Sequence, residues 1–214
     1  MTRHIHLMFR QIASKLFTIA LLLMAMGAQA QTEITSLSQI TDANGNYKLG
    51  ADISASSGLN MTFTGTLDGD YHTISGLSTA LFSTIDGGTV KDVILDNVSI
   101  SGDTNVGAIC GVATGDARIY NCGILATNSM VEKDEDDYDY ISSCSSTVSG
   151  SGNVGGIVGL LDGTSRVINC FSYANVSGGS YAGGLVGYNN VATTANNLKT
   201  MVMNSCGSVF GFRM

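Results

Sequence analysis

Past residue 30, apolar and polar side chains alternate in short runs that break at small or turn-forming residues. Val93 and Leu95, then Val98 and Ile100, alternate with polar neighbours, and Asp96-Asn97 interrupts the two runs. A period of two puts one face of a strand in a core and the other in solvent, and the polar pair makes the corner. No stretch beyond the leader holds the 3.6-residue period of a helix. The pattern predicts an all-β chain of short strands joined by sharp corners. Asn and Gly are expected at the breaks because both tolerate positive φ.

Laying the chain on itself resolves this pattern into a repeat. Asn105-Val-Gly-Ala-Ile-Cys-Gly111, Asn153-Val-Gly-Gly-Ile-Val-Gly159 and Tyr181-Ala-Gly-Gly-Leu-Val-Gly187 superpose. In the first two copies a second signal, Asn121-Cys122 or Asn169-Cys170, follows ten residues after the closing glycine. The third copy departs from this, since Asn204-Ser205-Cys206 comes later; an insertion around 193–199 accounts for it. Upstream, 80–85 takes the place of the Gly-rich strand and 90–95 that of 118–124. Val90, Ile119 and Val167 are then equivalent, as are Val93, Cys122 and Cys170, and all six are assigned to the interior. Units of ~20 to 30 residues built this way suit a solenoid whose turns stack in parallel, each burying its neighbour's apolar face. Six to eight turns at roughly 4.8 Å each would make a rod ~30 to 40 Å long.

Residues 1–30 are different in kind. A basic start (Arg3, Arg10, Lys15), an apolar run over 16–26 and Ala28-Gln29-Ala30 before Gln31 form the pattern of a cleavable secretory signal. The apolar run is shorter than the roughly 20 residues of a spanning helix. Cleavage would leave one domain: 31–57 as an N-terminal cap and first turn, and 58–214 as repeats with an acidic insertion at 126–147. The stop at Met214, inside what reads as another turn, makes a truncated piece of a longer protein a further expectation. The formal net charge of -7 falls further, to -10, once the three basic leader residues are removed. Such a surface suits neither nucleic acid nor anionic membrane. With 7% aromatics, no Trp, no Pro and 27 Gly, the core must come from layered Val, Ile, Leu and Ala.

Gly155-Gly-Ile-Val-Gly159 and Gly183-Gly-Leu-Val-Gly187, with Val167-Ile-Asn-Cys-Phe-Ser172 between them, resemble the GLUG-motif repeat proteins. Thr62-Phe-Thr-Gly-Thr-Leu-Asp-Gly-Asp-Tyr-His-Thr-Ile-Ser-Gly-Leu77 resembles the segment that often precedes those repeats in large exported bacterial proteins. The resemblance covers roughly residues 47–211. It implies a right-handed parallel β-helix of the pectin-lyase-like kind, as in adhesins and in the N-terminal region of immunoglobulin A1 metallopeptidases. It implies no active site, because those peptidases hold zinc in a separate domain on an H-E-x-x-H helix, a motif absent from this sequence.

The candidate chemistry is thin. Gly150-Ser-Gly152-Asn-Val-Gly155 fits the dinucleotide fingerprint in form, but a β-type Gly-Ile-Val-Gly follows where a helix N-terminus would have to face the pyrophosphate. It reads as a repeat corner. The acidic run 132–139 has oxygen ligands but no glycine for a calcium-loop turn, and reads as solvated loop. Asp68-Gly69-Asp70-Tyr71-His72 offers two acids and a His for polysaccharide cleavage, but Gly69 argues for a tight turn and no Lys or Arg adjoins the segment to act as base. Five cysteines (Cys110, Cys122, Cys144, Cys170, Cys206) cannot all pair with one another. Cys122 and Cys170, on adjacent turns, are expected as free buried thiols, because parallel side chains ~4.8 Å apart overshoot the ~3.8 Å Cβ spacing of a disulfide. Cys144 is expected to be the exposed one.

The chain is thus expected to be a secreted or cell-surface, non-catalytic β-helical protein without catalytic, cofactor-binding or metal residues. It would serve in adhesion or ligand display toward a host or bacterial glycan or surface protein, with end-to-end self-association. A lyase or hydrolase working on the same scaffold is the alternative.

Overall fold

The computed structural model describes residues 30–126, 128–130 and 141–191. The leader up to residue 29, the acidic run 132–139, the 193–199 insertion and Cys206 lie outside the described residues. The side chain of Cys144 does too. Among the described residues the only helical element is a short 3-10 turn, Leu37–Gln39, and no helix is long and apolar enough to cross a membrane.

Six short strands stack in parallel to make the first sheet, here sheet A: Thr32–Ile34, Asn46–Leu49, Thr66–Asp68, Thr89–Lys91, Arg118–Tyr120 and Arg166–Ile168. Five strands make sheet B: Ile53–Ser54, Thr73–Ser75, Ile94–Asp96, Gly123–Ile124 and Phe171–Ser172. Five more make sheet C: Leu59–Phe63, Phe82–Asp86, Cys110–Thr114, Val158–Leu161 and Val186–Asn189. Each strand pairs with its counterpart one circuit away rather than with its sequence neighbour, so the chain coils, passing A, B and C once per turn. From residue 99 two more strands enter each turn between B and C. They form sheet D (Ser99–Gly102, Thr147–Gly150, Asn175–Ser177) and sheet E (Asn105–Val106, Asn153–Gly155, Tyr181–Gly183).

Pairing reproduces the register inferred from the repeat. Val90, Ile119 and Val167 are successive partners in sheet A, and all are buried. Val93, Cys122 and Cys170 follow them three residues on; they too are buried and linked turn to turn by Gly123 N–H to Val93 O (3.0 Å) and Phe171 N–H to Cys122 O (3.1 Å). The three Gly-rich copies pair in register as Asn105, Asn153 and Tyr181. Inside the coil, side chains stack in columns such as Ile53, Ile74, Leu95 and Ile124, joined at the next level by Ser172. Leu37 and Ile40, on a turn capped by the Ser36 and Gln39 side chains, join the same core.

The glycines separate into two kinds, which alters the expectation that they sit where φ is positive. At the corners the left-handed region is occupied by Asp70, Tyr71, Asp92, Asn97, Asn121 and Asn169, and by Gly76, Gly87, Gly115 and Gly163. The repeat-motif glycines are not among them; they are required by close approach. A Cβ on Gly155 would lie 2.1 Å from Val158 O and 2.5 Å from Gly187 N, and one on Gly159 would lie 2.4 Å from Val106 N. Sheets E and C fold against each other as an arch too narrow for side chains, and the Gly-x-x-x-Gly spacing supplies bare backbone on both of its limbs.

Between Ile124 of sheet B and Thr147 of sheet D an antiparallel pair of strands interrupts the coil. Asn128–Met130 pairs antiparallel with Ile141–Cys144, making the stem of a hairpin. Its base is fixed by the buried Ser146, whose hydroxyl donates to Leu125 O (2.6 Å) and accepts from Val98 N–H (3.3 Å).

Candidate functional site

The densest cluster of charged side chains among the described residues lies on the outer face of sheet A and the corner leading into sheet B. Alternation turns the residues beside each buried A-strand position outward, and parallel pairing places Glu33, Lys48, Asp68 and Lys91 one above another. Opposite charges thus succeed each other along the coil. Lys91 Nζ donates to Asp68 Oδ2 (2.5 Å) and Asp92 Oδ2 (3.2 Å), and Lys48 Nζ to Asp70 Oδ2 (2.8 Å). Asp92 is buried, and its other oxygen accepts from Asn121 Nδ2 (2.9 Å). Asn121 Oδ1 accepts from Asn169 Nδ2 one turn further on (2.7 Å). Asp92, Asn121 and Asn169 share the left-handed corner position, which puts their short polar side chains in one row.

The expectation that no basic residue adjoins Asp68 and Asp70 is therefore corrected. Lys48 and Lys91 stand 20 and 23 residues from Asp68 along the chain, yet they flank it in sheet A. The hydrogen bond and charge of Asp70 raise the Lys48 pKa, and those of Asp68, followed by Asp92, raise that of Lys91. A lysine held protonated in this way is a poor general base, which must lose its proton near the working pH.

Asp68 to His72 form a tight turn, with the reason for its glycine revised. A Cβ on Gly69 would meet Asp92 O at 2.2 Å, while the positive φ falls on Asp70 (47°) and Tyr71 (63°). His72 points away from the two acids and pairs with Asp52 (Nδ1 to Oδ1, 3.3 Å), a residue that reading the sequence missed. The Thr73 N–H bonded to Asp52 at 2.8 Å, and then His72, hold the Asp52 carboxyl below its ordinary pKa. Only the turn-to-turn alignment of 46–54 with 66–75 could have revealed that pairing.

The other candidates fall apart as sites. Gly150, Gly152 and Gly155 lie in a strand, a corner and a strand, and a Cβ on Gly152 would meet Thr104 O at 2.1 Å. The fingerprint spacing serves stacking. Cys110, Cys122 and Cys170 are free and buried. Burial pushes the Cys110 and Cys122 thiols up, and hydrogen bonding to Cys122 pulls that of Cys170 down. The thiols of Cys122 and Cys170 donate to carbonyls of their own turns, Tyr120 O (3.4 Å) and Ile168 O (3.3 Å). No group of three His, Cys, Asp or Glu among the described residues is placed to hold a metal ion.

Comparison with known proteins places this arrangement. Residues 34–125, from the end of the first sheet A strand to just past the sheet B strand Gly123–Ile124, match the N-terminal region of the M26 IgA1-specific metallo-endopeptidases. Curated relatives include the immunoglobulin A1 proteases of Streptococcus pneumoniae, 33% identical over 121 residues, and of Streptococcus sanguinis, 35% identical over 116 residues. These alignments cover 47% and 44% of this chain, and 6% of each protease. Halomucin of Haloquadratum walsbyi is 33% identical over 120 residues, 42% of this chain and 1% of that protein. The chain thus spans a small fraction of the length of the relatives it matches. No solved structure matches it. Both the alignment and the stacked Gly-rich arches agree with the repeat resemblance, and residues 34–125 are related to the N-terminal region of the M26 IgA1-specific metallo-endopeptidases.

Proposed function

We propose that this chain is a non-catalytic, exported β-helical module of the right-handed, pectin-lyase-like kind, which presents surface loops for adhesion or ligand display. The observation that carries the reading is the match to the N-terminal region of the metallo-endopeptidases over a scaffold of stacked parallel turns. Right-handedness follows the general preference of parallel crossovers. Export follows from the leader pattern at 1–30, and a host or bacterial glycan or surface protein is the proposed partner. The antiparallel pair rooted at Ser146 departs from the parallel coil among the described residues and is the natural place to display a ligand-binding loop.

A lyase or hydrolase on the outer face of sheet A is the second reading, favoured by Lys91 between Asp68 and Asp92. The raised lysine pKa values count against it. Incubating the exported protein with pectic and host glycans separates the two readings. On the display reading the module should bind host or bacterial cells, lose binding when 127–144 is replaced by a short turn, and leave every glycan intact. Release of unsaturated or reducing ends would defeat the display reading.

A further inference from the structure

Tyr71 is the most exposed large apolar residue among those described, at 69%, and takes part in none of their ring contacts. Its backbone is costly. Asp70 and Tyr71 are the central residues of a turn closed by His72 N–H to Gly69 O (2.8 Å), and both have positive φ. That geometry prefers Gly at the second position, and a bulky residue there is strained. Every other left-handed residue among those described is Asp, Asn or Gly. Tyr71 N–H also donates to Asp92 O (2.9 Å), so the turn is pinned to its neighbour and the ring is held outward on a fixed base. A ring kept in water, where it fills no core and where glycine would be less strained, points to a role in contacting a ligand.

Its surroundings indicate the chemistry. Asp70, half exposed and paired with Lys48, precedes it, and His72, paired with the exposed Asp52, follows. We propose that Tyr71 is the stacking platform of a saccharide site, with Asp70 and Asp52 as acceptors for sugar hydroxyls. An aromatic face bordered by fixed polar groups suits the C–H face and hydroxyl rim of a pyranose. Lys48 is already paired with Asp70 and His72 with Asp52, so neither offers a free partner to an acidic sugar and a neutral one is favoured. The site rests on the ligand-display reading and names its ligand class.

The test is binding of the full exported chain and of its Tyr71→Gly and Tyr71→Phe variants to an immobilised panel of neutral and sialylated glycans, with melting curves for each protein. Wild type and Tyr71→Phe bind neutral glycans, whereas Tyr71→Gly binds at least ten-fold more weakly and melts about 2–4 °C higher, because strain is relieved. Equal binding by Tyr71→Gly, or a lower melting temperature for it, overturns the site while leaving display intact. Wild type that binds sialylated glycans alone overturns the neutral class, and wild type that binds no glycan overturns the saccharide site. Adhesion to intact host and bacterial cells, measured alongside, shows separately whether the display reading fails as well.

Discussion

The turns before residue 89 and those after it solve the same packing problem with different materials. In the first, successive sheet A strands begin 20 and 23 residues apart, at Asn46, Thr66 and Thr89, and large side chains fill the coil. Phe63 and Phe82 stack there with ring centroids 4.3 Å apart. Later, the spacing from Thr89 to Arg118 is 29 residues, and the extra length is folded into the D–E–C arch. Columns that hold Phe82 and Ile85 early on hold Cys110 and Ala113 one turn later. The wider turn is not filled by larger residues; it is collapsed by backbone packing on backbone at glycine. Both regions share one apolar core, and the first already has close approaches at Gly58, Gly65 and Gly69; what the second adds is an arch whose two limbs meet at the motif glycines.

The sharpest way to break this contrast is to add a side chain where the second region permits none. Gly155→Val places atoms against Val158 O and Gly187 N, and is expected to cost more than about 4 kcal/mol in urea unfolding. Gly87→Ala, at positive φ with nothing within 4 Å of its Cβ, should cost about 1 kcal/mol. Similar costs for the two would mean that the arch is not close-packed.

Removing volume gives the complementary test. Phe82 and Cys110 occupy one column on adjacent turns, and both are fully buried. Phe82→Ala is expected to cost about 3–5 kcal/mol and Cys110→Ala about 1 kcal/mol by the same measurement.

Cys110 also gives the second region a pH dependence. Burial raises the thiol's folded-state pKa. Above about pH 8.5 the unfolded chain releases this proton while the folded chain keeps it, so stability present at lower pH declines by about 1.4 kcal/mol per unit. Cys110→Val, which copies Val158 of the next turn, should remove that part of the decline between pH 8.5 and 10. The smallest expected effect is a gain. Ser165 is buried and its hydroxyl has no partner among the described residues, while the matching residue one turn earlier is Ala117. Ser165→Ala should stabilise by up to about 1 kcal/mol.

What could be read from the sequence followed from the similarity of neighbouring turns. Val90, Ile119 and Val167, and Val93, Cys122 and Cys170, align because the Gly-rich and Asn-Cys signals recur at one spacing. The charged row escaped because it crosses turns of unequal length without a common motif: Lys48, Asp68 and Lys91 become neighbours only when strands are paired. The motif is read as a Gly-rich strand, but why that strand needs glycine is not legible, because positive φ and close approach select the same residue and only backbone distances separate the two causes. Ser165 was invisible for a related reason, since a small polar residue beside a corner normally reaches water.

The central claim, that each strand pairs with its repeat equivalent and not with its neighbour in sequence, is tested most directly by backbone NOEs on isotope-labelled protein. Cross-strand contacts should join Val90 to Ile119 and Ile119 to Val167, in parallel patterns. Antiparallel contacts joining Thr89–Lys91 to Ile94–Asp96, as in a chain of local hairpins, would contradict the coil.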